Sequence, residues 1–228
     1  MAGASVVVHG RDRARGEAVV AAAGPGGASL VLGDLSSLAG ARALAAQVGP
    51  VDVLVNNAGV VSRERRESAD GIELTFAVNY VAHVALTLEL LERGPAPRRI
   101  VNVASLAAAP VDLDAPYEPY RAYGMSKLAQ VMWTFDLGEQ LDPARTTVNA
   151  LHPATLMDTT MVRELFGRTQ DEVEDGAAAT VRLVTDPALD GVTGRFFDGT
   201  RETRAHRDAY DSAARARLRA LTAELLAR

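Results

Sequence analysis

Apolar positions along this chain fall into two alternating patterns. Short β-branched and aliphatic runs occupy residues 5–9, 29–32, 51–55, 99–104, 146–151 and 194–197. Their length and Val/Ile/Leu content predict strands buried on both faces. Between them lie longer stretches with apolar residues at helical spacing: 13–23, a helix capped by Ser36-Ser37 and running to Val48, 71–93, 120–141 and 177–185. The strand at 29–32 ends at Asp34-Leu35, that at 51–55 enters Asn56-Asn57-Ala58-Gly59, and that at 99–104 stops at Ser105. Pro153 opens a loop, and 110–119 is a proline-rich loop between strand and helix. A charged segment at 205–227 predicts an exposed C-terminal helix. Strands alternating with helices predict an α/β fold with a parallel sheet covered on both faces. No repeat, low-complexity tract or interdomain linker interrupts residues 1–228, so a single domain is expected.

Composition narrows the partners. Hydrophobic residues make up 48% of the chain, enough for a full core. A formal net charge of -5 argues against nucleic acid, which is bound through clustered Lys and Arg. With no cysteine there are neither disulfides nor thiol chemistry, and a cytoplasmic setting is expected. No uninterrupted apolar run of 18 residues is found and the N-terminus lacks a signal-peptide core, so no membrane association is expected. A small molecule is the expected partner.

Candidate chemistry centres on Tyr123 and Lys127, which share one helix face at i and i+4. A nearby ammonium favours the phenolate and predicts a lowered Tyr123 pKa, suited to general acid–base work. Ser105, at the carboxyl end of a strand, stands where open α/β sheets bind ligands. Asn79 interrupts a helical pattern with a poor helix former. Each of these has a plain structural alternative. Tyr-x-x-x-Lys arises by chance, as Tyr117 with Arg121 does in this chain; Ser105 fits a strand-end hydrogen bonder; Asn79 fits a core amide or a kink; Asn56-Asn57-Ala58-Gly59 fits a tight turn. Their joint order, each on its predicted element, carries the weight.

That order resembles the short-chain dehydrogenases/reductases, particularly those like retinol dehydrogenases. Arg11-Asp12-Arg13-Ala14-Arg15-Gly16, Asp34-Leu35-Ser36-Ser37-Leu38, Asp52-Val53-Leu54-Val55-Asn56-Asn57-Ala58-Gly59, Arg99-Ile100-Val101-Asn102-Val103-Ala104-Ser105 and Tyr123-Gly124-Met125-Ser126-Lys127 carry it. The resemblance implies a Rossmann-like doubly wound parallel sheet and a homodimer or homotetramer through the helices 71–93 and 121–141. It implies Tyr123 as proton donor or base, Lys127 as the group that lowers its pKa and holds the nicotinamide ribose, and Ser105 as the anchor of the substrate oxygen. Asn79 would hold a water linking Lys127 to solvent. Asp34 and Leu35 would contact the adenine, and Asn56, Ala58 and Gly59 would line the cofactor cleft. The loop from Pro153, with Thr155, would cover the nicotinamide.

Arg11, just past the second family strand, favours NADP over NAD, because a guanidinium matches a 2′-phosphate. Its alternative is a solvated helix start. His152-Pro153-Ala154 stands where the family has Pro-Gly, so that loop is expected to differ in shape, and His152 is expected to be structural. Leu156, Met157, Met161, Leu165 and Phe166 predict apolar walls for a substrate pocket.

The family's first strand and glycine-rich loop have no counterpart: residues 5–8 already read as its second strand, and His9-Gly10-Arg11-Asp12 lacks the G-x-x-x-G-x-G spacing. The fold is therefore expected to be N-terminally truncated relative to the family, with two facing strand edges unpaired. Met1-Ala2-Gly3-Ala4 resembles the end of the absent helix, as if the start were misplaced. The readings left open are a reductase, a cofactor-free enzyme using Tyr123, Ser105 and Lys127 for cyclisation, isomerisation or elimination, and a non-catalytic binding protein.

Overall fold

A computed structural model describes residues 3–228; the reading of Met1-Ala2 as a helix end falls outside them. The chain alternates strands and helices as its pattern predicts. It begins with β1 (Val6–Gly10), α1 (Arg13–Ala22), β2 (Ala28–Leu32), α2 (Leu38–Val48) and β3 (Val53–Asn56). A helix with a π-helical insert follows: α3 (Leu74–Phe76), the π turn Ala77–Val81, then α4 (Ala82–Arg93). Next come β4 (Arg99–Val103), α5 (Pro119–Gln140), β5 (Thr147–His152), α6 (Thr160–Phe166), α7 (Val173–Thr185), β6 (Arg195–Asp198), β7 (Arg201–Glu202) and α8 (Ser212–Leu226).

The parallel sheet is in two parts. β1 pairs with β2 alone, while β3-β4-β5-β6-β7 form a second sheet, parallel except for the β6–β7 pair. β1 and β3 are not paired with each other, and Val6, Val7 and Val55 on them are exposed. The expectation of unpaired strand edges is met at these two strands.

Capping chemistry sets the helix starts. Ser37 accepts from the Gly40 amide at the head of α2 (3.1 Å). Glu73 accepts from Thr75 and Phe76 (2.9 and 2.8 Å), which moves the predicted start at Gly71 to Leu74. Glu118 caps α5 through Tyr120 and Arg121, with Pro119 at its first position.

The helix Leu74–Arg93 is long and apolar enough to cross a bilayer, and most of that stretch is buried inside the fold, as a core helix would be. One expectation needs correction. The C-terminal helix is not simply exposed. Ala214, Leu218 and Leu225 of α8 are buried, Arg215 and Arg219 meet the buried Asp136 of α5 (2.5 and 2.9 Å), and Thr222 meets the Tyr80 hydroxyl (2.6 Å). α5 is buried over nearly its whole length within one chain, so its apolar face is already covered.

Candidate active site

The carboxyl ends of the parallel strands β3, β4 and β5 share one rim, where open α/β sheets bind ligands. Ser105 follows β4 on that rim and is half-buried; its hydroxyl accepts from the Ala107 amide (3.1 Å). Tyr123, in the second turn of α5, is half-buried and faces it. Lys127, one turn on, is 3% exposed. Its ammonium donates to the Val103 carbonyl (2.7 Å) and to Gln130 Oε1 (2.9 Å), and lies 5.6 Å from the Tyr123 ring centre.

Asn79 sits inside the π turn, where the helix register slips by one residue. The side chain there clamps two neighbours. Its Oδ1 accepts from the Val60 amide (2.8 Å), and its Nδ2 donates to the Val60 carbonyl (3.0 Å) and to Ser126 Oγ (3.0 Å). Ser126 in turn donates to the Tyr123 carbonyl (2.7 Å). Asn79 therefore ties the loop after β3 to the turn of α5 that carries Tyr123. Both protons of its side-chain amide are thereby used.

The electrostatics also depart from expectation. Burial pushes the Tyr123 phenol above its ordinary pKa, while Ser105 pulls it down. Lys127 falls to about 7, again through burial. The predicted lowering of Tyr123 by its neighbour is absent in this geometry: desolvation outweighs the Ser105 hydrogen bond, and the Lys127 ammonium is turned to core carbonyl oxygens.

The remaining predicted residues separate into two groups. Ala58 and Gly59 lie half-buried on the rim, and a Cβ on Gly59 would sit 3.6 Å from Asn79 Oδ1 and 3.8 Å from Lys127 Nζ. Arg11 and Asp34 are exposed at the ends of β1 and β2. Asp34 is held below the usual carboxylate range by the Ser36 amide (2.8 Å) first and by the Arg11 charge to a lesser degree. By contrast, Asn56 does not line a cleft with its side chain. It is 2% exposed and donates to Thr87 Oγ1 (3.1 Å) and Asn102 Oδ1 (2.8 Å). Leu35 is buried in the core, so its side chain is not open to a ligand. Pro153 is buried, and Thr155 is engaged by the His152 ring (3.1 Å) and, through its amide, by Asp171 (2.6 Å). His152 is structural in this sense. Leu156, next in the loop, has φ 46°, the left-handed region that a branched side chain rarely adopts. Tyr117, the near miss, donates to the Ser62 carbonyl and is spent there (2.6 Å).

Sequence reasoning missed the polar layer beneath the site. His83, Thr87, Asn102, Gln130 and Thr134 are buried between α4, β4 and α5. Their spacing was the available signal: His83 follows Asn79 by four residues and Gln130 follows Lys127 by three, on the same helix faces.

A sequence model of the short chain dehydrogenase family matches residues 1–170. The chain belongs to this family. It is 33% identical to human retinol dehydrogenase 13, over 85% of this chain and 67% of that protein. It is 36% identical to a probable oxidoreductase of Streptomyces antibioticus, over 89% of this chain and 79% of that protein. Among solved structures it is similar to the Pseudomonas aeruginosa RhlG/NADP active-site complex, with 26% identity, a TM-score of 0.65 and coverage of 84% and 83%. Family and site together define an oxidoreductase of the short-chain dehydrogenase/reductase type.

The family implies a nicotinamide dinucleotide, and the rim fits its two ends. Lys127, Tyr123 and the Gly59 backbone cluster and would hold a ribose beside the reacting centre. Arg11 and Asp34 are exposed at the ends of β1 and β2 and would meet the adenosine. The described residues contain no G-x-x-x-G-x-G turn for the pyrophosphate.

Proposed function

We propose that this chain is an NADP-dependent oxidoreductase that interconverts a carbonyl and an alcohol on a small, apolar molecule. The observation that carries this reading is the convergence of Tyr123, Ser105 and Lys127 on one rim, braced by Asn79. The raised phenol pKa keeps Tyr123 protonated at neutral pH, the form that donates to a carbonyl oxygen. Ser105 orients that oxygen, and the Lys127 ammonium stabilises the phenolate left behind. A bound nicotinamide would supply or accept the hydride.

Arg11 supports NADP, since a 2′-phosphate prefers a guanidinium, and the P. aeruginosa relative is a complex with NADP. Leu106 beside Ser105, Tyr120 one turn before Tyr123 and Phe166 on α6 are large apolar residues left exposed. Tyr120 and Phe166 stack edge to face at 5.9 Å. An apolar border of this kind supports an apolar substrate.

The second reading is a cofactor-free acid–base enzyme or a binding protein on the same scaffold, in which Tyr123, Ser105 and Lys127 work without a dinucleotide. Titration of the folded chain with NADPH and NADH, read by Trp133 and nicotinamide fluorescence, separates them. Saturable binding with preference for NADPH is expected. Tyr123→Phe should then lower kcat at least 100-fold without loss of fold, in line with the contribution of about 10²–10⁴ from general acid catalysis. A folded chain that ignores both nucleotides would overturn the reductase reading.

A further inference from the structure

Behind the rim, three buried side chains form a line. Lys127 is 3% exposed, Gln130 1% and His83 1%. Lys127 Nζ meets Gln130 Oε1 at 2.9 Å, and Gln130 Nε2 meets His83 Nδ1 at 2.9 Å. His83 Nε2 is buried without a hydrogen-bond partner. The inference drawn from this line rests on the functional reading above only in taking Lys127 as the ammonium of the reaction.

We propose that Gln130 and His83 are positioning residues for Lys127, forming one chain of hydrogen bonds whose polarity fixes the Gln130 amide, the Nε2-protonated tautomer of His83 and its neutral state. The polarity follows from donor and acceptor chemistry alone. An ammonium only donates, so the Gln130 oxygen faces Lys127. The Gln130 amide nitrogen, which only donates, then faces His83. Nδ1 of His83 must therefore accept, and the ring proton belongs on Nε2. A second proton on Nδ1 would set donor against donor.

The backbone supports the same arrangement. Thr87 donates to the His83 carbonyl (2.7 Å) and Thr134 to the Gln130 carbonyl (2.8 Å), so both turns are pinned from the other side. Burial, with the charges of Lys127 and His9 behind it, takes His83 down to about 3; the Asn79 carbonyl pulls the other way without closing a hydrogen bond. The titratable groups facing the line are thus Tyr123 on α5, His83 on α4 and His9 on β1.

The consequence for the site is geometric. Two of the three ammonium protons are committed to neutral core oxygens, those of Val103 and Gln130. One is left to point toward the rim, where Gly59 and Tyr123 stand. Gln130 also helps to keep a proton on a lysine that burial would otherwise discharge.

The test uses the full chain without nucleotide. Nitrogen-15 NMR should show His83 protonated on Nε2 and flat from pH 5 to 9. Carbon-13 NMR of the Lys127 Cε should titrate near pH 7. Gln130→Leu should lower that midpoint by about one to two pH units, the worth of one hydrogen bond to a charged group, and Gln130→Glu should raise it. The alkaline limb of kcat/KM should move in the same two directions. A merely structural role would move neither midpoint nor limb. A His83 that titrates between pH 5 and 8, or that carries its proton on Nδ1, overturns the proposal in the unaltered protein, even if a variant fails to fold. An unmoved Lys127 midpoint in folded variants overturns it too. A midpoint that moves while the catalytic limb stays would uphold the positioning chain and sink the assignment of Lys127 to the reaction.

Discussion

Gly40 offers a sharp test of how the turn between β2 and α2, which carries Asp34, is built. It is the third residue of α2, and its amide binds Ser37 Oγ at 3.1 Å. A Cβ at this position would lie 1.9 Å from the Asp34 carbonyl oxygen and 3.1 Å from both the Asp34 carbonyl carbon and Ser37 Oγ. Ordinary contact begins near 3.4 Å, so the two backbone segments must separate by 3.4 − 1.9 = 1.5 Å. No rotamer change can supply that, because the obstacle is main chain. Overpacking of this kind costs about 1–3 kcal/mol, and the shift required belongs at or above the top of that range. Alanine returns about 1 kcal/mol through helix propensity, leaving a net loss of about 2 kcal/mol. For a chain of this size that lowers Tm by about 4–8 °C. Gly16→Ala is the control: its Cβ would meet Leu30 Cδ1 at 2.4 Å, the flexible end of a side chain that can turn away. Thermal unfolding followed by circular dichroism should rank Gly40→Ala well below Gly16→Ala, and the KM for NADPH should rise in the former as Asp34 is displaced. A Gly40→Ala protein as stable as the parent, or more stable than Gly16→Ala, would refute the reasoning.

Other expectations follow from the same structure. Asp136→Ala leaves Arg215, whose side chain is 13% exposed, without its buried partner; urea unfolding should show a loss of about 3 kcal/mol, and a loss under 1 would mean that Glu139 alone holds α8 in place. The unfolded chain takes up a proton on His83 near pH 6.5 that the folded chain refuses until about 3. More protons on the unfolded state mean stability falls as pH drops through that window, by up to about 1.4 kcal/mol per unit. His83→Gln should flatten this slope in urea midpoints measured from pH 6.5 to 5, and identical slopes would contradict the neutral assignment. Arg11→Ala should raise the KM for NADPH about 10-fold or more while sparing NADH; equal losses for both would show that Arg11 does not read the phosphate.

Most of the fold was legible because its strands are short aliphatic runs and its helices carry their own caps. The helix starts read after Ser36-Ser37 and at 120 lie within a residue or two of those in the structure. What was not legible depends on what packs where. The π turn at Ala77–Val81 leaves no trace in periodicity beyond an out-of-place Asn79. α8 carries three arginines and reads as a solvated helix, yet two of them reach inward to one carboxylate on α5. α6 and β7 are too short to announce themselves.

The site divides along the same line. Order and spacing placed Tyr123, Lys127, Ser105, Asn79 and Gly59 together, and the structure brings them together. Spacing could not weigh solvation. The i, i+4 pair predicts a phenol drawn down by an ammonium, an argument that holds only while the ammonium is charged and near. Burying both groups raises the phenol and lowers the amine, so each partner weakens the other's claim to its ionised form. What restores the ammonium is not in the motif: it is a carbonyl of β4 and an amide one turn along α5, oriented by a histidine on α4. The residues that decide whether Lys127 is charged come from three elements. Any sequence that keeps the Tyr-x-x-x-Lys pair but loses the Gln130 oxygen should keep the look of the site and lose part of its working pH range.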